Sequence, residues 1–225
     1  SLELKLTLTM AMKYWGMYAS QPCRTVVYIF RRLAIPYEHN EVRPRFDTRS
    51  VEFKRTVNRW GKTPVIEHHG VKMVESAAIS RYLLALFDDK AEIMPRDDLL
   101  ARQRVDAMLD VNGNTYRPVF MPSYWEVKLS PICFGVPVPS QERVDKIMSD
   151  VHFNLKDINE VTSLSPFVAG EKFSIADVQI YNEVFNVATH FEIDLSEYVH
   201  LKTWFDKISE DKIIQDLNQE MKISF

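Results

Sequence analysis

A hydroxyl and a thiol lie three residues apart in the stretch YASQPCRTV, where Ser20 precedes Cys23. Disulfide-exchange proteins carry two thiols at this spacing, and a lowered thiol pKa makes such a cysteine reactive. Here oxygen replaces the first sulfur. The pair can act through the Ser20 hydroxyl, through the Cys23 thiol, or through neither. Tyr14 and Tyr18 are rival hydroxyl donors close by.

A strand and a helix must position this pair. The residues from Met12 onward predict a short strand, and Cys23, Val26 and Phe30 then recur at helical spacing. Pro22 lies near the first helical position, where its missing N–H costs little. Cys23 shares the apolar face of this helix, so we expect a buried structural thiol. Ser20 stays just ahead of the helix.

The following elements complete an α/β pattern. YEHNEV predicts a second strand, SVEFKRTVNRW a weak and basic helix, TPVIEHHGVKMVE a hairpin that turns at Gly70, and SAAISRYLLALF an amphipathic helix. Ser76 is expected to be the N-cap residue of that last helix. A βαβ unit followed by a hairpin and a helix predicts a compact α/β domain with a mixed sheet. This is the order of a thioredoxin-like fold, over residues 10–88.

The second half of the chain is predicted to be helical. Residues 89–98 are polar and lack a strong period, so we interpret them as a linker. Helical patterns dominate residues 99–225, which predicts an all-helical domain. Five of the eleven prolines fall between Tyr116 and Pro139, and the chain is expected to bend repeatedly there.

A strong helix-start signal occurs in GEKFSIADVQIYNEVF. Ser174 is followed three residues later by Asp177, which is the spacing of a capping box. Phe173 and Val178 flank it at the spacing of a hydrophobic staple. Both patterns stabilise a helix start, so we interpret the motif as a folding device and not as a site.

The composition excludes several classes of function. The chain has 225 residues, is 46% hydrophobic and carries a net charge of -3, so no global basic field attracts nucleic acid or an anionic membrane. Its six glycines are isolated, which disfavours Gly-rich phosphate-binding loops. No apolar run is long enough to span a bilayer, and no signal peptide opens the chain.

Cysteine and histidine usage argues against a metal site or a disulfide framework. Cys23 and Cys133 are 110 positions apart, and the six histidines form no zinc-type spacing with them. Free thiols in a reducing compartment are the simpler interpretation. We therefore expect a cytoplasmic protein without a bound metal.

The chain resembles the cytosolic glutathione transferases. The motif VESAAISRYL closes the predicted α/β domain, and FSIAD opens a helix of the second domain. SQPCRTVVYIF and the proline-marked NTYRPVFMPSYWEVKLSP, followed by GVPVPSQERV, are most similar to the theta class. The resemblance implies a thioredoxin-like glutathione-binding domain and an all-helical domain that contributes the electrophile pocket.

The resemblance also implies an activity. A serine hydroxyl would activate the glutathione thiolate for conjugation to small hydrophobic electrophiles, or for reduction of organic hydroperoxides. Glutathione would be a co-substrate, and no further cofactor is expected. Members of the family are usually homodimers that act in detoxification.

Site residues follow by resemblance. Ser20 takes the position of the theta-class catalytic serine and would donate a hydrogen bond to the substrate sulfur. Thr63 would offer its backbone N–H and C=O to the cysteinyl part of glutathione, ahead of a cis Pro64. At the next corner, Ser76 would bind the γ-glutamyl carboxylate, and Glu75 would face the ammonium group.

Cations are implied at two further places. The glycyl carboxylate of glutathione requires one, and Arg49 or Lys62 could supply it. Theta enzymes have a histidine near the position of Arg49, so the choice between the two stays open. In the helical domain, Arg117 matches an arginine that faces the active centre of theta enzymes, where a cation would lower the thiol pKa.

Two alternatives stay open on the sequence. The first is a non-catalytic binding or scaffold protein, since Arg49 replaces the theta histidine and the sequence lacks the C-terminal extension of vertebrate theta enzymes. The second is a thiol reductase that acts through Cys23. It requires that thiol to be exposed and reactive.

Overall fold

A computed structural model describes residues 12–43 and 45–223, the last two of these by backbone alone. Residues 10 and 11, where the first domain is predicted to begin, lie outside the described residues. The chain forms two compact units. One contains the described residues up to 94 together with those from 211, and the other contains residues 95–210.

The first unit is built on a four-stranded mixed sheet with the strand order β2-β1-β3-β4. Its strands are β1 (Met12–Gly16), β2 (Tyr37–Glu41), β3 (Val65–His68) and β4 (Val71–Val74). The β1 and β2 strands run parallel, and the other pairs are antiparallel. The predicted mixed sheet is thereby confirmed.

In the described residues up to 94, three α-helices accompany this sheet. They are α1 (Gln21–Arg32), α2 (Val51–Thr56) and α3 (Ser76–Phe87), and a 3-10 turn covers Asp47–Arg49. The apolar face of α1 is fully buried. Arg31 and Arg32 lie in its last turn, where positive charges interact favourably with the helix dipole. The short α2 is capped by Ser50, whose hydroxyl accepts a hydrogen bond from the Phe53 N–H at 3.1 Å.

The β3–β4 hairpin turns through two residues, His69 and Gly70. Both have positive φ, 51° and 76°, as a type I′ turn requires. This turn type matches the twist of the flanking strands, and it confirms Gly70 as a turn residue.

The second unit is helical. Its α-helices are α4 (Leu99–Val111), α5 (Arg117–Tyr124), α6 (Ser130–Phe134), α7 (Gln141–Leu164), α8 (Ile175–Phe191) and α9 (Val199–Ser209). No helix within the described part of the chain is long and apolar enough to cross a membrane.

The proline-rich stretch differs from the expected series of bends. Residues 99–134 form one continuous helical run that includes π-helical turns at Asn112–Tyr116 and Trp125–Leu129. Pro118 and Pro131 each lie at the second position of the α-helix that follows a π turn. Pro122 lies inside α5. The chain leaves the helix only after Phe134.

Asp177 joins the start of α8 to its surroundings. Its carboxylate accepts hydrogen bonds from the backbone N–H groups of Ser174 and Val168 and from Trp204 Nε1, at 2.8 to 2.9 Å. The Ser174 hydroxyl also donates to Asp177, at 2.9 Å. Burial raises the pKa of Asp177, although these hydrogen bonds act in the opposite direction. The predicted folding device is present.

The last helix, α10 (Lys212–Ile223), groups with the first unit. The Tyr28 hydroxyl donates to Asp211 at 2.9 Å, and Arg31 donates to both oxygens of Glu220 at 2.8 and 3.0 Å. The boundaries expected from the sequence placed all of residues 99–225 in one helical domain. An amphipathic pattern predicts a helix, but it does not say which unit receives the apolar face.

Candidate functional site

The sheet register brings several loops to the same end of the first unit. Gly16 pairs with Glu41 in parallel, so the residues after β1 and after β2 leave the sheet at one end. Trp15 pairs with Val65, and Val65 pairs with Val74, both antiparallel. The residues before β3 and after β4 therefore emerge at that end as well.

Most of the predicted site residues lie in these loops. Ser20 follows β1, and Arg49 follows β2. Lys62, Thr63 and Pro64 precede β3, and Glu75 and Ser76 follow β4. Residues from distant parts of the sequence are thereby collected at one sheet end. Arg117 lies in the second unit and is described separately.

Ser20 occupies the N-cap position of α1 but does not cap the helix with its side chain. Its backbone is extended, with φ of -85° and ψ of 123°, and its carbonyl accepts from the Arg24 N–H at 3.0 Å. Among the described residues, none forms a hydrogen bond with the Ser20 hydroxyl. The half-buried hydroxyl can therefore donate to a ligand at the helix N-terminus.

The rival hydroxyls of Tyr14 and Tyr18 lie in different surroundings. Tyr14 is fully buried, and burial raises the pKa of its phenol. The Tyr18 hydroxyl lies 3.5 Å from the Tyr37 hydroxyl, and Arg31 lies over the Tyr18 ring at 5.5 Å. Both tyrosines thus belong to an aromatic cluster that includes Tyr37 and His39.

Cys23 faces the core, as its position on the apolar stripe predicts. Its exposed fraction is 0%, whereas Cys133 is exposed. A Cβ placed on Gly16 would lie 2.8 Å from Cys23 Sγ and would overlap the Tyr14 hydroxyl. The thiol is therefore buried beneath the end of β1 and is not accessible to solvent.

Arg24 is a structural residue of the site that sequence reasoning missed. Its side chain is fully buried, and its Nη1 donates to the Tyr18 carbonyl at 3.3 Å. This bond fixes the loop that leads to Ser20. A single arginine within a helical stretch gives no sequence signal of such a role.

The loop before β3 contains a cis peptide bond between Thr63 and Pro64, as the resemblance implies. The Asn58 amide holds this loop, donating to the Lys62 carbonyl at 2.8 Å and accepting from the Trp60 N–H at 3.1 Å. Within the described residues, the backbone N–H and C=O of Thr63 have no hydrogen-bond partner. They can pair with an extended ligand as an added strand.

The N-cap residue of α3, after β4, differs from the expected one. The N-cap residue is Glu75 and not Ser76, because Ser76 already has helical geometry at the first position of α3. Glu75 has a φ of 66°, which is strained for a residue with a side chain. The Ser76 N–H thereby becomes one of the unsatisfied first-turn donors, a favourable place for an anion.

Positive charge gathers in the loop after β2. In this loop Arg49 is exposed, and Arg45 is half-buried with a φ of 66°. Lys62, in the separate loop before β3, is also exposed. Burial and the neighbouring charge of Arg49 lower the pKa of the Arg45 guanidinium. Arg45 is a basic residue that the sequence analysis did not single out, although it lies in the basic run RPRFDTR.

Arg117 forms an ion pair in the second unit. Its Nη1 lies 2.5 Å from Glu183 Oε1, on α8. The Glu183 side chain is 1% exposed and that of Arg117 is 26% exposed. The sequence gives no sign of this partner, since the two residues are 66 positions apart.

In the described parts of the chain, no three His, Cys, Asp or Glu side chains group to hold a metal ion. The chemistry available at the sheet end is hydrogen-bond donation from a hydroxyl, backbone pairing and binding of carboxylates.

Comparison with known proteins identifies this architecture. Residues 15–91 match the family model "Glutathione S-transferase, N-terminal domain", and residues 116–212 match "Glutathione S-transferase, C-terminal domain". Glutathione S-transferase theta-2B of Homo sapiens is 29% identical over 177 residues, 77% of this chain and 71% of that protein.

Plant proteins match at a comparable level. The probable glutathione S-transferase GSTF2 of Oryza sativa is 27% identical over 149 residues, 66% of this chain and 68% of that protein. Among solved structures, human glutathione-S-transferase T1-1 in its apo form superposes with a TM-score of 0.85 at 24% identity, covering 95% of this chain and 89% of that one. With both domain models matched in order along this fold, the chain belongs to the glutathione S-transferase family.

Proposed function

We propose that this protein is a glutathione transferase in which the Ser20 hydroxyl activates the glutathione thiol. The observation that carries the proposal is the uncommitted Ser20 hydroxyl at the N-terminus of α1. A free thiol has a pKa of about 8.5, so little thiolate exists at neutral pH. A hydrogen bond to sulfur and the positive end of a helix dipole both favour the anion.

The rest of glutathione is proposed to bind along the same sheet end. Thr63, ahead of cis Pro64, pairs its backbone with the cysteinyl residue. The Ser76 N–H and hydroxyl hold the γ-glutamyl carboxylate, and Glu75 faces the ammonium group. Arg49 or Lys62 holds the glycyl carboxylate, and the charge of Arg45 adds to the positive field there.

The proposed reaction is attack of the thiolate on a small hydrophobic electrophile, with Arg117 as a second catalytic residue that favours the anion. Reduction of organic hydroperoxides at the expense of glutathione is a proposed side activity. We also propose a cytoplasmic homodimer, as is general for this family.

The burial of Cys23 counts against the thiol-reductase alternative. A mixed disulfide requires a thiolate that reaches its partner, and Cys23 has no exposed surface. The scaffold alternative predicts that glutathione does not bind, which makes it directly testable.

Calorimetric titration with glutathione and a conjugation assay with a general electrophile test the proposal. We expect binding at millimolar glutathione or below, and a kcat for Ser20→Ala about 100-fold lower than wild type. Tyr18→Phe is the matched control, since it removes the rival hydroxyl, and it should retain activity. Absence of glutathione binding would support the scaffold alternative, and full activity of Ser20→Ala would exclude the serine mechanism.

A further inference from the structure

The loop that leads to Ser20 begins at Gly16, the last residue of β1. A backbone hydrogen bond from the Ser20 N–H to the Met17 carbonyl, 3.2 Å long, closes this loop. Because the loop is short and closed on itself, a shift of its backbone at Gly16 is passed on to Ser20. A group that holds the Gly16 carbonyl therefore influences where the Ser20 hydroxyl lies.

His39 of β2 is such a group. It lies opposite Tyr14 in the parallel pairing of β1 with β2, and its Nε2 lies 2.9 Å from the Gly16 carbonyl oxygen. A carbonyl oxygen only accepts, so His39 Nε2 is protonated and donates. The same oxygen also accepts from the Val42 N–H, at 3.2 Å. The histidine thus adds a side-chain bond at the point where the chain leaves the sheet.

The imidazole ring of His39 contacts the loop at a second point. Its centroid lies 5.2 Å from that of the Tyr18 ring, in the middle of the loop, and 5.1 Å from that of the Tyr14 ring on β1. The Tyr18 carbonyl in turn accepts the bond from Arg24. Side chains of β2 and of α1 therefore hold the loop through two different carbonyls.

We propose that His39 is a positioning residue, whose bond to the Gly16 carbonyl fixes the loop that presents the Ser20 hydroxyl to the glutathione thiol. The proposal rests on the proposed function of Ser20. His39 is exposed on an edge strand of the sheet, so the core does not need it for packing. Without the bond, the loop is held less firmly and the hydroxyl meets the sulfur less often.

Three replacements separate the hydrogen bond from the ring contact. His39→Gln keeps a donor at a reach similar to that of Nε2, His39→Phe keeps only the ring, and His39→Asn keeps neither. We expect kcat for conjugation to fall about tenfold in His39→Phe and His39→Asn, because a misplaced catalytic group loses rate steeply. His39→Gln should stay near wild type. The Kd for glutathione should change little in all three variants, because its other proposed contacts remain.

The pKa of the bound glutathione thiol links this effect to Ser20. His39→Phe should raise the thiol pKa in the same direction as Ser20→Ala, because the donor to the sulfur is displaced. In the Ser20→Ala background, His39→Phe should change neither the thiol pKa nor kcat, because it acts through the serine. The matched control is His69→Asn. His69 is also exposed but lies in the β3–β4 turn, where asparagine tolerates its positive φ, and its loss should change neither readout.

The outcomes separate the two proposals. If Ser20→Ala leaves the thiol pKa and kcat unchanged, the proposed function of Ser20 fails, and the role of His39 fails with it. If Ser20→Ala is impaired but His39→Phe is not, or if His39→Phe has the same effect without the serine, only the positioning role is wrong. Impairment of His39→Gln equal to that of His39→Phe would likewise contradict a role for the hydrogen bond.

Discussion

Ser20 differs from three other N-cap residues that contain a side-chain oxygen. Ser50, Ser140 and Asp98 each accept a hydrogen bond from the first turn of their helix, whereas Ser20 does not. A capping bond is worth about 1 kcal/mol, so this position forgoes stability that serine could supply. The missing capping bond is understandable if the Ser20 hydroxyl is kept for a hydrogen bond to a ligand.

The buried state of Cys23 leads to a prediction about thiol reactivity. In the native protein, iodoacetamide should modify Cys133 rapidly and leave Cys23 unmodified, because only Cys133 is exposed. Intact-mass and peptide mass spectrometry can follow both sites. Denatured protein, in which both thiols react, is the control. Rapid native labelling of Cys23 would reopen the reductase alternative.

At the scale of residues, the sequence predicted roles where a motif carries them. The cis Pro64 was implied by the resemblance and the buried Cys23 by the local pattern, and both are observed; the role of Ser20 stays a proposal. Arg24, Asn58 and Glu183 were not foreseen, because each acts through a partner whose proximity arises only in the folded chain. A buried arginine or carboxylate has no periodic signature, so its partner must be found in three dimensions.

At the scale of elements, the capping motif of α8 extends further than its sequence pattern indicates. The pattern predicts bonds between Ser174 and Asp177, whereas the carboxylate also joins Val168 and Trp204. Asp177 therefore ties a loop and α9 to the start of α8. The sequence located this helix start well, but not the elements that it connects.

Replacement of Asp177 by alanine should destabilise the protein by roughly 3 to 5 kcal/mol, since several buried N–H donors would lose their acceptor. Urea unfolding followed by circular dichroism measures the change. Asp98→Ala is the matched control, because Asp98 caps α4 at an exposed site, and it should cost about 1 kcal/mol. Equal costs for the two variants would show that Asp177 is only a cap.

The C-terminal helix shows a second limit of sequence reasoning at this scale. The order of strands and helices up to Phe87 was predicted with nearly the observed boundaries. The unit to which α10 belongs was not predicted, because its apolar residues Ile214, Leu217 and Met221 could pack against either of the two units. Docking depends on shape and on pairs such as Arg31 with Glu220, which are distant in sequence.

At the scale of the whole molecule, the net charge of -3 contrasts with the cations gathered around Arg45 and Arg49. A local positive field can attract an anionic ligand even when the chain as a whole is slightly acidic. Glutathione carries two carboxylates and one ammonium group, so it suits a sheet end that offers both cations and Glu75.

Binding of glutathione should stabilise the folded protein, because the loops that form the proposed site exist only in the native state. At a ligand concentration 100-fold above Kd, the free energy of unfolding should rise by about 2.7 kcal/mol. Thermal unfolding with increasing S-methylglutathione measures this without turnover. Free glutamate at the same concentration is the control. An unchanged melting temperature at millimolar ligand would contradict the proposed site.

The central claim is that Ser20 stabilises the thiolate of bound glutathione, and its most direct test is the pKa of that thiol. Ultraviolet titration of the thiolate in the binary complex should give a pKa of about 7 for the wild type, against about 8.5 for the free thiol. In Ser20→Ala, with glutathione still bound, the pKa should return towards the free value, and Ser20→Thr should restore part of the shift. A wild-type pKa that Ser20→Ala leaves unchanged would contradict the account.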